Sequence, residues 1–398
     1  MKIMKKLSFL ILSVFIACGC SQRNSNISLA GIEVIPVEVN NVAQDVSSFI
    51  EKIEITPLET NDSSLIHKVK KVIYDKKTDM YAMYTSDQIV FTFKGNGEYI
   101  ANSKKMQGPG PEEYGMVLDI SFNPYLGGID MLSPYGTIYT YSSTFELLAK
   151  RKYTPEFPIN HLMPLDSVNY IFTHPVMWTD QELSFVDINS QQVVMDKYGG
   201  TVSSGHYAEH HCFYQIGEHF YYIPLDLNYY IYQIDPVEKK LTPVIYLDFG
   251  EEEVKEKGLP GRAVGKRTLD NKELDAIVEG TQERMQYVRN SEYLLPLVKF
   301  ISEDYIYIYC KKGQGESRRI FLYNRKKKES FLLTERKPLL IPPCKGLVDN
   351  VLFLLFPPEL DLISQIVDRK LMSAEEISKM EALNEDDNPV IVKYYLKK

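Results

Sequence analysis

Residues 72–100 read VIYD, KKTD, MYAMYT, SDQ and IVFTFKGNGEYI, and this stretch decides the fold. Two short runs rich in Val, Ile, Met and Tyr flank the polar tetrapeptide 76–79, the pattern of two strands joined by a turn. Gly95-Asn96-Gly97 then separates Phe93 from Tyr99. Asn and Gly tolerate positive φ, so this tripeptide reads as a tight hairpin turn. The stretch is therefore a unit of short antiparallel strands, each returning on the one before.

The same unit recurs at 119–148, 161–194, 212–245 and 297–333, with a degenerate copy around 347–360. Its second strand starts near Met80, Ile129, Tyr170, Phe220, Tyr305 and Val351, at gaps of 49, 41, 50, 85 and 46 residues. Four of the five gaps match the ~40–50 residues of a four-stranded propeller blade. The spacing predicts an all-β fold, a six-bladed β-propeller whose closed ring leaves no long exposed sheet edge. A large β-sandwich or two barrels also carry evenly spaced short strands, but the sustained period favours the propeller. The long gap holds an insertion at about 250–295. There Leu274, Ile277, Val278, Met285 and Val288 fall near helical spacing, and Asp270 with Glu273 makes a capping box. A second short helix starts at Ser373, whose Glu376 again fits a capping box. Strands are expected at 32–39, 51–58 and 390–396. Pairing of one terminal strand from each end in a single blade would close the ring.

The first twenty residues carry an address. Lys2, Lys5 and Lys6 precede an apolar run at 7–17, too short for a membrane span of ~20 residues and suited to a signal-peptide core. Ala17-Cys18-Gly19-Cys20-Ser21 follows, similar to a bacterial lipobox. Cys20, with Gly19 before it and a polar stretch after it, is the expected lipidated residue, and Cys18 is its rival. The organisation is then a lipoprotein signal peptide at 1–19, a polar tether at 20–30 and the propeller at 31–398. Two or more acyl chains anchor stably where one does not, so the membrane is the first expected partner and the cell envelope the expected location.

Charge narrows the other partners. The chain has 45 Lys and Arg against 53 Asp and Glu, and loss of 1–19 removes three lysines and no acid, leaving −11. Nucleic-acid binding needs clustered Lys and Arg; the runs 326–328 and 318–319 read as solvated turns. Aromatic content leans on 28 Tyr and 18 Phe, with Trp178 the single tryptophan, a composition suited to half-buried pleated surfaces. Beyond the lipobox only Cys212, Cys310 and Cys344 remain, without CxxC spacing, so no zinc or redox motif is present.

Three motifs resemble the six-bladed β-propeller lipoproteins of the Bacteroidetes, relatives of the NHL-type propellers. Gly108-Pro109-Gly110-Pro111-Glu112-Glu113-Tyr114 is similar to that family's G-x-G-P-G-E-[YF] loop, with Glu112 in place of a third glycine. Ile55-Thr56-Pro57-Leu58-Glu59-Thr60 with Leu65-Ile66 resembles its lead into blade one, and Asp387-Asn388-Pro389-Val390-Ile391-Val392 its C-terminal strand. The resemblance covers essentially the whole mature chain. It implies a fold and an address, and no settled reaction.

Candidate sites follow from residue chemistry. In the 108–114 loop, Gly108 and Gly110 permit close approach and the prolines stiffen the connection. Glu112, Glu113 and Tyr114 are candidate ligand contacts at a rim or channel mouth; the alternative is a blade connector. The loop lacks the GK[ST] ending of a phosphate loop. Trp178, beside His174 and Asp180, is a second candidate contact. His206, His210 and His211 crowd together with Glu209, Cys212 and, nearby, His219. In a segment leading into a strand, however, i and i+4 lie ~13 Å apart. Polar loop histidines are the better reading; neither a metal nor a cofactor is expected. Aromatic strands such as 220–222 and 305–309 are expected to pack between blades. Two functions from different classes remain. One is a non-catalytic module that binds a glycan, peptide or envelope protein at one rim. The other is a channel-end hydrolase or lyase. Propellers host both; converging carboxylates or histidines with a bound metal in the channel mouth would favour the enzyme, and an aromatic or bland rim would favour binding.

Overall fold

The computed structural model describes residues 29–37, 42–43, 45–175, 182–199, 201–202, 211–225, 227–255, 259–261, 270–312, 318–334 and 343–398. Alternating apolar strands and tight turns build six four-stranded antiparallel blades. Blade one is Val69–Asp75, Met80–Thr85, Val90–Lys94 and Tyr99–Asn102, from the axis outward. Blade two is Asp119–Asn123, Gly128–Leu132, Thr137–Tyr141 and Leu147–Lys152; blade three is Leu162–Pro164, Asn169–Thr173, Glu182–Asp187 and Val193–Lys197. Blade four comprises Phe213–Ile216, His219–Tyr222, Tyr230–Asp235 and Lys240–Asp248, and blade five Leu294–Ile301, Tyr305–Lys312, Arg318–Asn324 and Glu329–Thr334. Blade six takes Gly346–Val348, Val351–Phe356 and Val390–Leu396 from the C-terminal end and Ile50–Pro57 from the N-terminal end. First strands of neighbouring blades pack side by side around the axis. Every second strand begins within one residue of its expected position.

Closure is more elaborate than one shared blade. Glu33–Pro36 adds a fifth, parallel strand to the outside of blade four, with Ile35 facing Leu247. Ala43 N–H then bonds to Leu332 O at the edge of blade five (2.8 Å). Ile50–Pro57 pairs with Val390–Leu396, Ile53 opposite Tyr394 and Ile55 opposite Val392. The N-terminal segment thus runs as a belt over three successive blades, and each contact occupies a sheet edge that would otherwise invite pairing with another chain.

Two polar groups lock this seam. Helix Ala374–Glu381 starts on Ser373, which accepts from Glu376 N–H. Its Glu376 carboxylate accepts from Ile55 N–H (2.5 Å) and from Lys379 (2.6 Å). Asn388 is buried, and its side chain is saturated: Oδ1 accepts from Ile66 N–H (2.9 Å), and Nδ2 donates to Glu59 O and Ser64 O (both 2.8 Å). The lead into blade one and the C-terminal strand, two of the motifs noted in the sequence, are therefore one structural joint. Asn388→Ala removes three bonds and leaves Ser64 O and the Ile66 amide without their partner, while Glu59 O keeps Ser64 Oγ (2.7 Å); a loss of about 2–4 kcal/mol is expected in denaturant unfolding. Asn388→Asp should not rescue it, because a carboxylate has no proton to give Glu59 O and Ser64 O.

The insertion forms helix Asn271–Arg289. Asp270 caps it, accepting from Glu273 N–H (2.8 Å) while Glu273 accepts from Asp270 N–H (3.3 Å). Its buried stripe differs from expectation. Ile277, Arg284 and Val288 face inward, whereas Leu274 and Val278 are exposed. The seam is narrow because Arg284 occupies it, its guanidinium donating to Pro260 O (2.7 Å). The aromatic strands pack as expected, with Tyr141, Tyr170, Tyr232, Tyr305 and Tyr307 fully buried.

The two faces of the ring are unlike. At one face lie the turns from first to second and from third to fourth strand, none longer than five residues. Non-glycine residues at positive φ concentrate there: Asp79, Phe145, Gln191, Lys239, Lys328 and Asp349. Gly97 belongs to these turns. Its φ is +91° and a Cβ would strike Pro57 O, so glycine is required. The opposite face carries all blade-to-blade connections and both large insertions, 249–293 and 357–389.

Candidate functional site

On the connector-rich face, the starts of the innermost strands bring titratable side chains together. Lys71 lies opposite Tyr84, and Asp119 opposite Leu132. Thr173 N–H donates to His161 O (3.0 Å), and His161 N–H donates to Thr173 Oγ1 (3.1 Å). Each thus faces the fifth residue of its blade's second strand, so these are equivalent positions of successive repeats. Sheet geometry directs equivalent positions to the same side of their blades, and here they meet across the seams between blades one, two and three.

Lys71 and Asp119 form a buried ion pair through Asp119 Oδ1. The other carboxylate oxygen accepts from Leu162 N–H (3.1 Å) and sits 3.4 Å from His161 Nδ1. Burial alone would raise the Asp119 carboxyl; Lys71 and His161 more than offset it and hold it well below the usual range. His161 is 3% exposed, yet neither ring nitrogen has a hydrogen-bond partner. His211, half-buried at the lead into blade four, feels Lys71, Asp119 and His161. Lys71, Asp119 and His161 thus join the innermost strands of blades one, two and three, with His211 of blade four close enough to feel all three. Burial, with Lys71 and His161 adding repulsion, pushes His211 down to about 3, so it stays neutral over the physiological range. The neighbouring Cys212 thiol is pushed up by burial and is likewise uncharged. Among the described residues, no three His, Cys, Asp or Glu side chains are grouped to hold a metal ion.

Of the crowded histidines, His206 and His210 lie outside the described residues. His219 sits at the short-turn face, where its Nδ1 meets Gln233 Nε2 (3.1 Å), away from His211. Trp178 also lies outside the described residues. His174 is buried, bonded through Nδ1 to Pro158 O (2.8 Å) and through Nε2 to Ser184 Oγ (2.6 Å), which leaves its ring no free nitrogen.

The 108–114 loop belongs to the same connector-rich face and is tightly braced. Gly108 N–H bonds to Tyr114 O (3.0 Å) and Tyr114 N–H to Met106 O (2.9 Å). The Glu113 carboxylate accepts from Gly110 N–H (2.8 Å), and a Cβ on Gly110 would collide with that carboxylate. Lys150 donates to Pro111 O (2.6 Å) and Tyr141 to Glu112 O (2.7 Å). Tyr114 is fully buried between blades one and two, its hydroxyl bonded to Ser103 Oγ (2.5 Å) and Gln88 O (2.9 Å). Glu112 alone of the three candidate side chains is exposed.

This architecture has relatives. A family described as a domain of unknown function, DUF4934, matches residues 32–395. The chain belongs to the DUF4934 family. The match takes in every blade and the whole axial cluster. In fold, the DUF4934 chain is similar to a Bacteroides fragilis protein whose name marks it as exported. The two share 15% identity over 92% of this chain and 100% of that one, with a TM-score of 0.67. It is also aligned with the β-propeller domain of Cps50 (Swd1) from Myceliophteria thermophila, at 9% identity over 86% and 100% of the chains and a TM-score of 0.41. Among the curated proteins none matches.

Proposed function

We propose that this chain is an exported, lipid-anchored propeller of the cell envelope that binds a glycan, peptide or partner protein at its connector-rich face. The observation that carries this reading is the asymmetry of the ring: one face has only minimal turns, and the other holds every long connection. Long connections on a rigid scaffold are where binding groups collect. Within that face Glu112 is the ligand contact of the proposal, and Gly108, Gly110, Glu113 and Tyr114 hold the loop that presents it; Trp178, outside the described residues, is the second contact, proposed from the sequence alone. The signal-peptide pattern and the exported Bacteroides fragilis neighbour support export. Acylation of Cys20 supplies the anchor. Glu33–Pro36 runs parallel to the last strand of blade four and so begins at the short-turn face. A tether arriving there leaves the connector-rich face turned away from the bilayer.

Mass spectrometry of the mature N-terminus should find acylated Cys20; acylated Cys18, or no acyl chain, would overturn the anchor. Thermal-shift screening of the full-length protein against glycans and peptides should give ligands whose effect is lost in Glu112→Ala and Trp178→Ala at unchanged melting temperature. Ligands that ignore both substitutions and depend on the short-turn face would overturn the site.

A channel-end hydrolase or lyase is the second reading, favoured by the convergence of His161, His211, Asp119 and Lys71, the material of acid–base catalysis. Product release from a bound glycan or peptide, abolished in His161→Gln, would decide for it.

A further inference from the structure

We infer that the axial cluster is a site for a single carboxylate group of the ligand, received between Lys71, His161 and His211. The inference rests on the proposal that the connector-rich face binds a ligand, and it names the chemical group recognised there. Three observations lead to it.

The first is the unfilled hydrogen-bonding capacity. Polar atoms this deeply buried are almost always paired. Yet both nitrogens of His161 lack a hydrogen-bond partner. The Lys71 ammonium, 5% exposed, bonds to Asp119 and to no other group among the described residues, so two of its three protons are unused.

The second is that the built-in anion is already committed. Asp119 gives one oxygen to Lys71 and the other to Leu162 N–H, with His161 Nδ1 beside it. The cluster has no carboxylate left for a cationic ligand. Its open positions are an ammonium and two imidazoles, which together suit an acceptor.

The third is charge. Lys71 and Asp119 cancel, and Cys212 and His211 are neutral because burial disfavours their charged forms. A monoanionic carboxylate meets the two unused protons of the Lys71 ammonium, whereas a phosphate dianion would bring a second charge that none of these groups offsets.

The test is calorimetric titration of the full-length protein with glucuronate, with a short peptide bearing a free C-terminus and with the amide of that peptide. Inorganic phosphate and glucose serve as controls, and the histidine ring resonances are followed by NMR. Glucuronate or the free-acid peptide should bind and move the His161 resonance, whichever binds identifying the source of the carboxylate. The amide and glucose should be at least tenfold weaker. His161→Gln should weaken carboxylate binding at least tenfold while His219→Gln, at the opposite face, leaves it intact. A His161 resonance that no carboxylate moves, as for a cavity holding water only, would overturn the inference; so would tighter binding of phosphate. A neutral glycan that binds the face without moving His161 sinks this inference and keeps the binding function. Carboxylates that move His161 in a protein with no glycan or peptide ligand do the reverse.

Discussion

A chain shortened to begin at Asn61 is expected to lose its cooperative unfolding transition. Such a chain lacks Ile50–Pro57, the outer strand of blade six, and leaves Val390–Leu396 as an open edge. The lost segment buries Val46, Phe49, Ile50, Ile53 and Ile55, each at most 2% exposed. At about 1.5–3 kcal/mol for each fully buried side chain, the five together rival the roughly 5–15 kcal/mol by which a domain is stable at all. The Glu376 contact to Ile55 and the Asn388 contact to Glu59 go with it. A chain beginning at Asp45 tests the rest of the belt. It sacrifices only Glu33–Pro36 and its neighbours, whose main buried side chains are Ile35 and Val37, so it should fold with a lowered melting temperature. Calorimetry or circular dichroism on the two truncations distinguishes them. An unchanged transition in the chain from Asn61 would mean that blade six closes without its N-terminal strand.

Much of this closure was legible in the sequence, and what was not has a physical reason. The second strands show plainly because each couples an apolar run to a turn of fixed chemistry, as at 76–80 and 349–351. Both are local signals, and they place Met80 and Val351 to the residue. The pairing of Ile50–Pro57 with Val390–Leu396 follows from the need to close a ring. The parallel seat of Glu33–Pro36 on blade four does not, because it depends on a partner more than 200 residues away and on no turn. On helix Asn271–Arg289 the apolar spacing was real, but the tertiary contact selected a stripe containing Arg284. The axial cluster escaped sequence reading for a related reason. Lys71, Asp119 and His161 each look like an ordinary polar residue where a strand begins. Their kinship emerges only when the repeats are set in register and all three fall opposite the fifth residue of the second strand. His211 was conspicuous, but for its neighbours His206 and His210 rather than for Asp119 and Lys71, which the sequence places 92 and 140 residues away.

Lys71→Met should be the most damaging single substitution at the axis, costing about 3–5 kcal/mol, because it leaves the Asp119 charge buried without its counter-ion. The effect comes from the stranded carboxylate rather than from any large net worth of the pair. The double variant Lys71→Met with Asp119→Leu should therefore recover most of the loss, since two apolar side chains there need no partner. Acid separates the two cases further. In the parent, Asp119 titrates below its unfolded value, so the pair's contribution is whole above about pH 4 and fades as the pH falls beneath it. In Lys71→Met the same carboxyl has lost the cation that held it down, and burial now favours its protonated form. Acidification should relieve the penalty, and the stability gap between parent and variant should narrow from neutral pH towards pH 4. Urea unfolding of the parent, the single and the double variant at several pH values reads this directly. A gap that stays constant with pH, or a double variant as unstable as the single, would show that Lys71 acts through packing of its stem and not through charge.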